Sequence, residues 1–127
     1  VQMTLSQKTN VAGAVIVSTP QDIALIDARK GIDMFKRMEV PLLGIVENMS
    51  SFVCSGCGME HHPFGHGGAR AEAEKLGIPF LGEIPLDLDI RIASDGGAPI
   101  VVSHPNGPQA QSFFALADQL IASGVLA

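Results

Sequence analysis

The stretch Ala12-Gly-Ala-Val-Ile-Val-Ser18 decides the fold class of this chain. It is short, apolar and rich in β-branched residues, and Thr19-Pro20 ends it, which is typical of a strand buried on both faces. Residues 22–38 then show a helical pattern, with apolar side chains at Ile23, Ile26, Ile32 and Phe35. A buried strand followed by an amphipathic helix predicts the first half of a strand–helix–strand unit.

The same alternation continues along the chain. Two more apolar stretches of strand length occupy residues 41–46 and 79–84. Helices are predicted over residues 1–8, 69–76, 89–94 and 109–122, and a short strand over residues 100–102. This order predicts an α/β fold, a partial three-layer parallel sheet with flanking helices, built as a single domain over residues 1–127.

The composition argues against several classes of protein and of binding partner. Of 127 residues, 46% are hydrophobic and 17% are charged, and the formal net charge is −5. An acidic chain without a basic cluster is a poor partner for nucleic acid or for an anionic membrane surface. The apolar runs are too short to span a bilayer, and no signal segment is recognisable. We therefore expect a cytoplasmic protein whose thiols are kept reduced.

Both cysteines lie in one motif, Cys54-Ser-Gly-Cys57. The surrounding residues 49–68 are rich in Gly, Ser and His and show no periodicity, so they predict a long loop of the kind that often carries function. Two thiolates separated by two residues can face one metal ion. Residues 49–68 are therefore predicted to form a metal-binding loop with Cys54 and Cys57 as ligands.

Three chemistries compete for this cysteine pair. A thiol–disulfide oxidoreductase normally places the pair at a helix N-terminus, which lowers the thiol pKa, but residues 58–63 are a poor helix start. We therefore expect no cysteine of lowered pKa. A zinc-binding module would need four ligands, which Cys54, Cys57, His61 and His62 could supply, although adjacent histidines are difficult to direct at one ion.

An iron–sulfur cluster is the third possibility. A [4Fe–4S] cluster is usually held by four thiolates, and this chain has two. A symmetric homodimer would supply four, with the cluster on the two-fold axis.

The predicted strands end in segments that should gather along one edge of the sheet, where ligands bind in folds of this class. The amide of Asn48 offers both a donor and an acceptor, which would match a purine edge, but a turn-capping role explains it equally well. Pro85 and Asp87 are likewise explained by a turn. The glycine-rich residues 64–68 predict a flexible hinge. His66 could be a ligand, but a histidine exposed to solvent in the loop is the preferred interpretation.

Residues 18–35, 44–50 and 82–91, together with the C-x-x-C motif, resemble the Mrp/ApbC-type P-loop ATPases, which are related to MinD and act as iron–sulfur cluster carriers. The resemblance implies a MinD-like fold and a homodimer joined through the C-x-x-C loop. In that dimer Cys54 and Cys57 hold a bridging [4Fe–4S] cluster, for which Zn²⁺ could substitute. It also implies that the cluster is delivered to apo iron–sulfur proteins. The family binds and hydrolyses ATP with Mg²⁺, and its adenine-side contacts would fall on Asn48, Pro85 and Asp87.

The sequence departs from this family in two respects. The phosphate-binding loop G-x-x-x-x-G-K-[ST] does not occur in the 127 residues, which therefore resemble the C-terminal part of such an ATPase. We expect this stretch alone neither to hydrolyse ATP nor to bind it well. Ser55 also stands where the family often has proline.

Overall fold

Three parallel strands form the central sheet of the computed structural model, which describes residues 1–124. They are β1 (Ala14–Ser18), β2 (Leu42–Glu47) and β5 (Phe80–Glu83), and they lie in the order β1-β2-β5. The register pairs Ser18 with Glu47 and Glu47 with Glu83. The carboxyl ends of all three strands therefore lie side by side.

Six helices flank the sheet within the described residues. They are α1 (Gln2–Lys8), α2 (Asp22–Arg37), α3 (Gly68–Leu76), α4 (Leu88–Asp95), α5 (Ile100–Ser103) and α6 (Pro108–Ala122). The predicted α/β fold with a parallel sheet and flanking helices is confirmed.

Each face of the sheet has its own hydrophobic core. On one face, α2 and α3 pack against the strands, with Leu25, Ile32 and Ala73 buried around Ile45. On the other face, α4 and α6 pack against a core of Val46, Leu81 and Ile84. The alternation of Ile45 and Val46 along β2 sends one side chain to each core, which is why this central strand reads as a continuous apolar run.

Burial differs from prediction in β1 and α2. β1 was predicted to be buried on both faces, but Val17 is 60% exposed whereas Ile16 is 8% exposed. In the described residues β1 is an edge strand with β2 as its neighbour, so only its α2 face is covered. In α2 the buried residues are Leu25 and Ile32, while Ile23 and Ile26 face solvent.

Two predicted elements have a different structure. Residues 100–102 belong to the helix α5, which begins after Pro99 and buries Ile100 but leaves Val102 exposed. The predicted loop 49–68 contains an antiparallel hairpin of β3 (Phe52–Val53) and β4 (Glu60–His61). Both elements are too short to produce a periodic pattern.

Gly44 lies where β2 approaches β5 most closely. A Cβ at this position would lie 2.5 Å from Leu81 Cγ and 2.8 Å from the Pro79 carbonyl oxygen. The φ of Gly44 is 154°, which a residue with a side chain rarely adopts. Glycine is therefore required for the two strands to pair at this point.

Candidate metal centre

The two cysteines lie at the turn of the β3–β4 hairpin. Cys54 directly follows β3, and its backbone N–H donates to the Met59 carbonyl oxygen at 3.0 Å. The Gly58 N–H donates back to the Cys54 carbonyl oxygen at 2.7 Å. These two bonds close the turn and hold both thiols at the end of the hairpin, where Cys54 is half-buried and Cys57 is exposed.

The turn also favours the ionised form of Cys54. The backbone N–H groups of Cys57 and Gly56 donate to its sulfur and lower the pKa of the Cys54 thiol, and the Cys57 side chain adds a further hydrogen bond. The expectation of no lowered pKa was therefore wrong for Cys54. Amides of the turn therefore favour the thiolate of Cys54 as a helix N-terminus favours that of other cysteines, and the thiolate is the form that binds metal.

The histidines of the loop do not complete a zinc site with the cysteines. His62 Nδ1 lies 3.1 Å from the Ser50 carbonyl oxygen, and the His62 ring packs on His66 with centroids 4.2 Å apart. Within residues 1–124, no group of three metal-ligating side chains that lie close together includes a cysteine. The four-ligand zinc site predicted within one chain is therefore not assembled in this structure.

The segments that follow the strands are joined by backbone hydrogen bonds, as predicted. The Asn48 N–H donates to the Ser18 carbonyl oxygen at 2.8 Å, and the Ile84 N–H donates to that of Glu47 at 2.8 Å. The Ser50 N–H donates to the Ile84 carbonyl oxygen at 3.1 Å. The base of the cysteine hairpin is thus attached to the carboxyl edge of the sheet.

Asn48 lies at this edge with its side chain partly engaged. Its Oδ1 accepts from the Met49 N–H at 2.9 Å, where Met49 has a φ of 53°, so Asn48 stabilises a turn. Asn48 also borders a cavity of about 280 Å³ whose other lining residues are apolar, among them Val17, Val46 and Phe113.

Asp87 has a structural role in the connection from β5 to α4, in which Pro85 also lies. Asp87 is the N-cap of α4, and its Oδ1 accepts from the Asp89 N–H at 2.8 Å. Its Oδ2 accepts from Gln109 Nε2 at 3.1 Å, which ties α4 to α6. Both carboxylate oxygens of Asp87 are therefore already engaged.

A second group of metal-ligating side chains lies at the same edge, and sequence reasoning missed it. Donor atoms of Glu47, His66 and Glu83 all lie within 4.8 Å of one another. His66, predicted to be a solvent-exposed loop residue, has its Nε2 3.4 Å from Glu83 Oε1. The available signal was that Glu47 and Glu83 each end a buried strand, since the ends of parallel strands meet at one edge.

The family of the chain follows from a match over nearly its whole length. The family model of the NUBPL iron-transfer P-loop NTPases, within the ParA group, matches residues 1–121. The chain belongs to this family. The resemblance to P-loop ATPases that carry iron–sulfur clusters is thereby confirmed.

Similar members of this NUBPL family come from eukaryotes and bacteria. The chain is 50% identical over 119 residues to the iron–sulfur cluster transfer protein NUBPL of Dictyostelium discoideum, covering 94% of this chain and 37% of that protein. It is 51% identical over 122 residues to the iron–sulfur cluster carrier protein of Escherichia coli, covering 96% and 33% respectively. The chain thus spans about a third of the length of these relatives.

Solved structures with the same fold include nucleotide-binding proteins. One is a nucleotide-binding protein of Archaeoglobus fulgidus in complex with ADP, with cobalt found in it. It is 40% identical, with a TM-score of 0.62, and the match covers 77% of this chain and 39% of that one. Another is the cell division ATPase MinD of Pyrococcus furiosus, at 25% identity and a TM-score of 0.66, covering 87% and 43%.

Membrane insertion through a helix was not expected. In the part of the chain that the structure describes, every helix is too short or too polar to cross a bilayer.

Proposed function

We propose that this chain is the cluster-binding part of an iron–sulfur cluster carrier, with Cys54 and Cys57 as the ligands. The observation that carries the proposal is the hairpin turn, which presents two free thiols and favours the thiolate of Cys54 through backbone donors. Relatives named as iron–sulfur cluster transfer and carrier proteins, about 50% identical to this chain, support the same cargo.

The number of thiolates favours a shared cluster. One chain offers two cysteines, whereas a [4Fe–4S] cluster takes four. Two copies that meet at their hairpins would supply four thiolates around a two-fold axis. Because Cys57 is exposed at the end of the hairpin, a second copy or an apo iron–sulfur protein can approach it without disturbing the core. A cluster held in this way can be passed on by exchange of ligands.

A nucleotide would bind at the carboxyl edge of the sheet in the longer family members. Three solved structures support ATP, with Mg²⁺, as the nucleotide: the ADP complex of the Archaeoglobus fulgidus relative, the ATPase MinD of Pyrococcus furiosus, and the MinD of Pyrococcus horikoshii complexed with Mg-ADP. Asn48 is the residue best placed to contact adenine, because it is the polar residue of an otherwise apolar cavity. Asp87 would act indirectly, by capping α4 beside that edge, and Pro85 lies in the same connection.

Anaerobic reconstitution with iron and sulfide tests the cluster proposal. We expect a broad absorption band near roughly 400 nm from thiolate-to-iron charge transfer, one cluster per two chains, and a shift from monomer to dimer on size exclusion. Cys54→Ser and Cys57→Ser should each abolish the band. Ser55→Ala, in the same turn but without a thiol, is the matched control and should retain it.

The alternatives predict other outcomes in the same samples. A zinc-binding module would retain zinc and take up no iron, which metal analysis after reconstitution would show. A thiol–disulfide oxidoreductase would reduce insulin disulfides catalytically. The lowered pKa of Cys54 favours the thiolate, which is the form that attacks a disulfide. Either result without the absorption band would contradict the carrier proposal.

We expect the protein in the cytoplasm, where thiols remain reduced.

A further inference from the structure

Two carboxylates lie next to each other at the ends of neighbouring strands. Glu47 ends β2 and Glu83 ends β5, and the parallel register pairs these two residues directly. Like charges placed opposite each other on adjacent strands destabilise a sheet. Some positive charge should therefore lie between them.

In the described part of the chain, neither a lysine nor an arginine supplies that charge. Among the described residues, no lysine or arginine nitrogen lies within 4.0 Å of either carboxylate. Glu47 is fully buried, at 0% exposure. Its carboxylate accepts from Ser50 Oγ at 2.6 Å and from the Ala69 N–H at 3.2 Å, and both donors are neutral. A buried carboxylate is usually paired with a cation or bound to a metal.

His66 completes a set of three donors from three separate segments. It precedes α3 in sequence, and its Nε2 lies 3.4 Å from Glu83 Oε1. The His62 ring packs against the His66 ring, and His62 is itself held at the Ser50 carbonyl oxygen. The His62 ring limits the positions open to the His66 ring, and the two hydrogen bonds to the Glu47 carboxylate are of the kind that orient metal ligands.

We propose that Glu47, His66 and Glu83 bind one divalent first-row transition-metal ion, at a site separate from the cysteines. One imidazole and two carboxylates suit ions such as Fe²⁺, Mn²⁺, Co²⁺ or Zn²⁺. Such an ion holds its donors at about 2.0–2.2 Å, so neighbouring donors of a tetrahedral site lie about 3.4 Å apart. The donor atoms here lie within 4.8 Å of one another, so binding requires the partly exposed His66 and Glu83 side chains to rotate towards the ion.

The site lies at the base of the cysteine hairpin. Ser50 links the two, because its hydroxyl holds Glu47 and its carbonyl oxygen holds His62, which directly follows β4. Water would fill the remaining coordination positions, since Glu83 and His66 are 32% and 53% exposed. A single ion bound here would fix the base of the hairpin to the sheet.

Metal titration of a cysteine-free chain tests this proposal without involving the cluster site. The full chain carrying Cys54→Ser and Cys57→Ser is titrated with Co²⁺ by calorimetry and visible absorption. We expect one equivalent to bind, without the intense charge-transfer bands of cobalt thiolates, and to raise the thermal midpoint. Adding Glu83→Gln or His66→Gln should weaken binding by about tenfold or more.

His61→Gln is the matched control, because His61 lies in the same hairpin but outside the cluster, and it should leave the affinity unchanged. Circular dichroism confirms that each variant is folded. The proposal is overturned if the cysteine-free chain binds no Co²⁺ at millimolar concentration. It is also overturned if Glu83→Gln and His66→Gln bind as tightly as their parent. Because the cysteines are absent throughout, neither result bears on cluster binding.

Discussion

At the scale of single residues, Cys54 and Cys57 differ although they belong to one motif. Cys54 is half-buried and receives hydrogen bonds from the turn, whereas Cys57 is exposed and donates its own amide to that arrangement. The C-x-x-C spacing identified both residues from the sequence. It could not show which thiol has the lowered pKa, because that depends on the direction of two backbone N–H groups.

Alkylation rates measured against pH should reveal this difference. With Cys57→Ser present, Cys54 should reach half its maximal rate with iodoacetamide at a lower pH than a free cysteine peptide, whose pKa is about 8.5. The physical reason is that the backbone donors of residues 56 and 57 stabilise the thiolate and remain in the variant. A profile that coincides with that of the peptide would contradict this account of the turn.

The Arg29–Glu72 pair joins α2 to α3, and it makes stability depend on pH. The guanidinium of Arg29 donates to both carboxylate oxygens of Glu72, through Nη2 to Oε2 at 2.9 Å and through Nε to Oε1. Glu72 is 5% exposed, and the hydrogen bond from Arg29 lowers the pKa of its carboxyl. A carboxyl whose folded-state pKa is lowered stabilises the fold above its unfolded pKa, and this contribution disappears as the pH falls through the folded value.

Glu72→Gln should therefore cost about 1–2 kcal/mol at pH 7, near the low end for a charged hydrogen bond because Arg29 is half-exposed and screened. The difference from wild type should shrink as the pH is lowered from 5 towards 3. Urea denaturation at several pH values measures it. A difference that stays constant over this range would mean that the carboxylate charge contributes nothing.

At the scale of elements, the sequence predicted those marked by a long helical period or by a continuous apolar run. The helices α2 and α6 have enough residues for apolar spacing to be informative, whereas the shorter strands β1, β2 and β5 are marked by apolar runs. The sequence of the four-residue α5 is typical of a strand, because Ile100, Val101 and Val102 are all β-branched. The β3–β4 hairpin has two residues per strand, so alternation cannot be seen.

Two glycine substitutions should have opposite effects on stability. Gly44→Ala should destabilise the chain by about 2–4 kcal/mol, because the new Cβ meets the Pro79 carbonyl and Leu81 at a strained φ. Gly31→Ala, within α2, should stabilise it by about 0.5–1 kcal/mol, since the nearest atom is Ile16 Cδ1 at 3.9 Å. Urea midpoints of both variants test the sheet geometry, and equal losses in the two would contradict it.

At the scale of the whole molecule, topology brings together what the sequence separates. The C-x-x-C spacing predicted Cys54 and Cys57 as ligands, and the family resemblance implied a role for Asn48, because each belongs to a recognisable motif. The Glu47–His66–Glu83 cluster combines residues up to 36 positions apart, and no local pattern marks it. It becomes visible only when the order β1-β2-β5 places the ends of β2 and β5 together.

The uneven coverage of the sheet leads to a prediction about two valines that border the same cavity. Val17 is 60% exposed and Val46 is 5% exposed. Val17→Thr should change the free energy of unfolding by less than about 0.5 kcal/mol. Val46→Thr buries a hydroxyl and should cost about 1–3 kcal/mol. If Val17→Thr were as costly in urea denaturation, another part of the chain or a second copy would have to cover that face.

The hydrogen bonds at the carboxyl edge imply two rates of amide hydrogen exchange in one small region. The amides of Asn48, Ser50 and Ile84 join three strands, so they exchange only when the sheet opens as a unit. The amides of Cys54 and Gly58 belong to a hairpin with two residues per strand, which opens locally at far lower free energy. The turn that we propose to hold the cluster can therefore open and close many times for each unfolding event of the sheet beneath it.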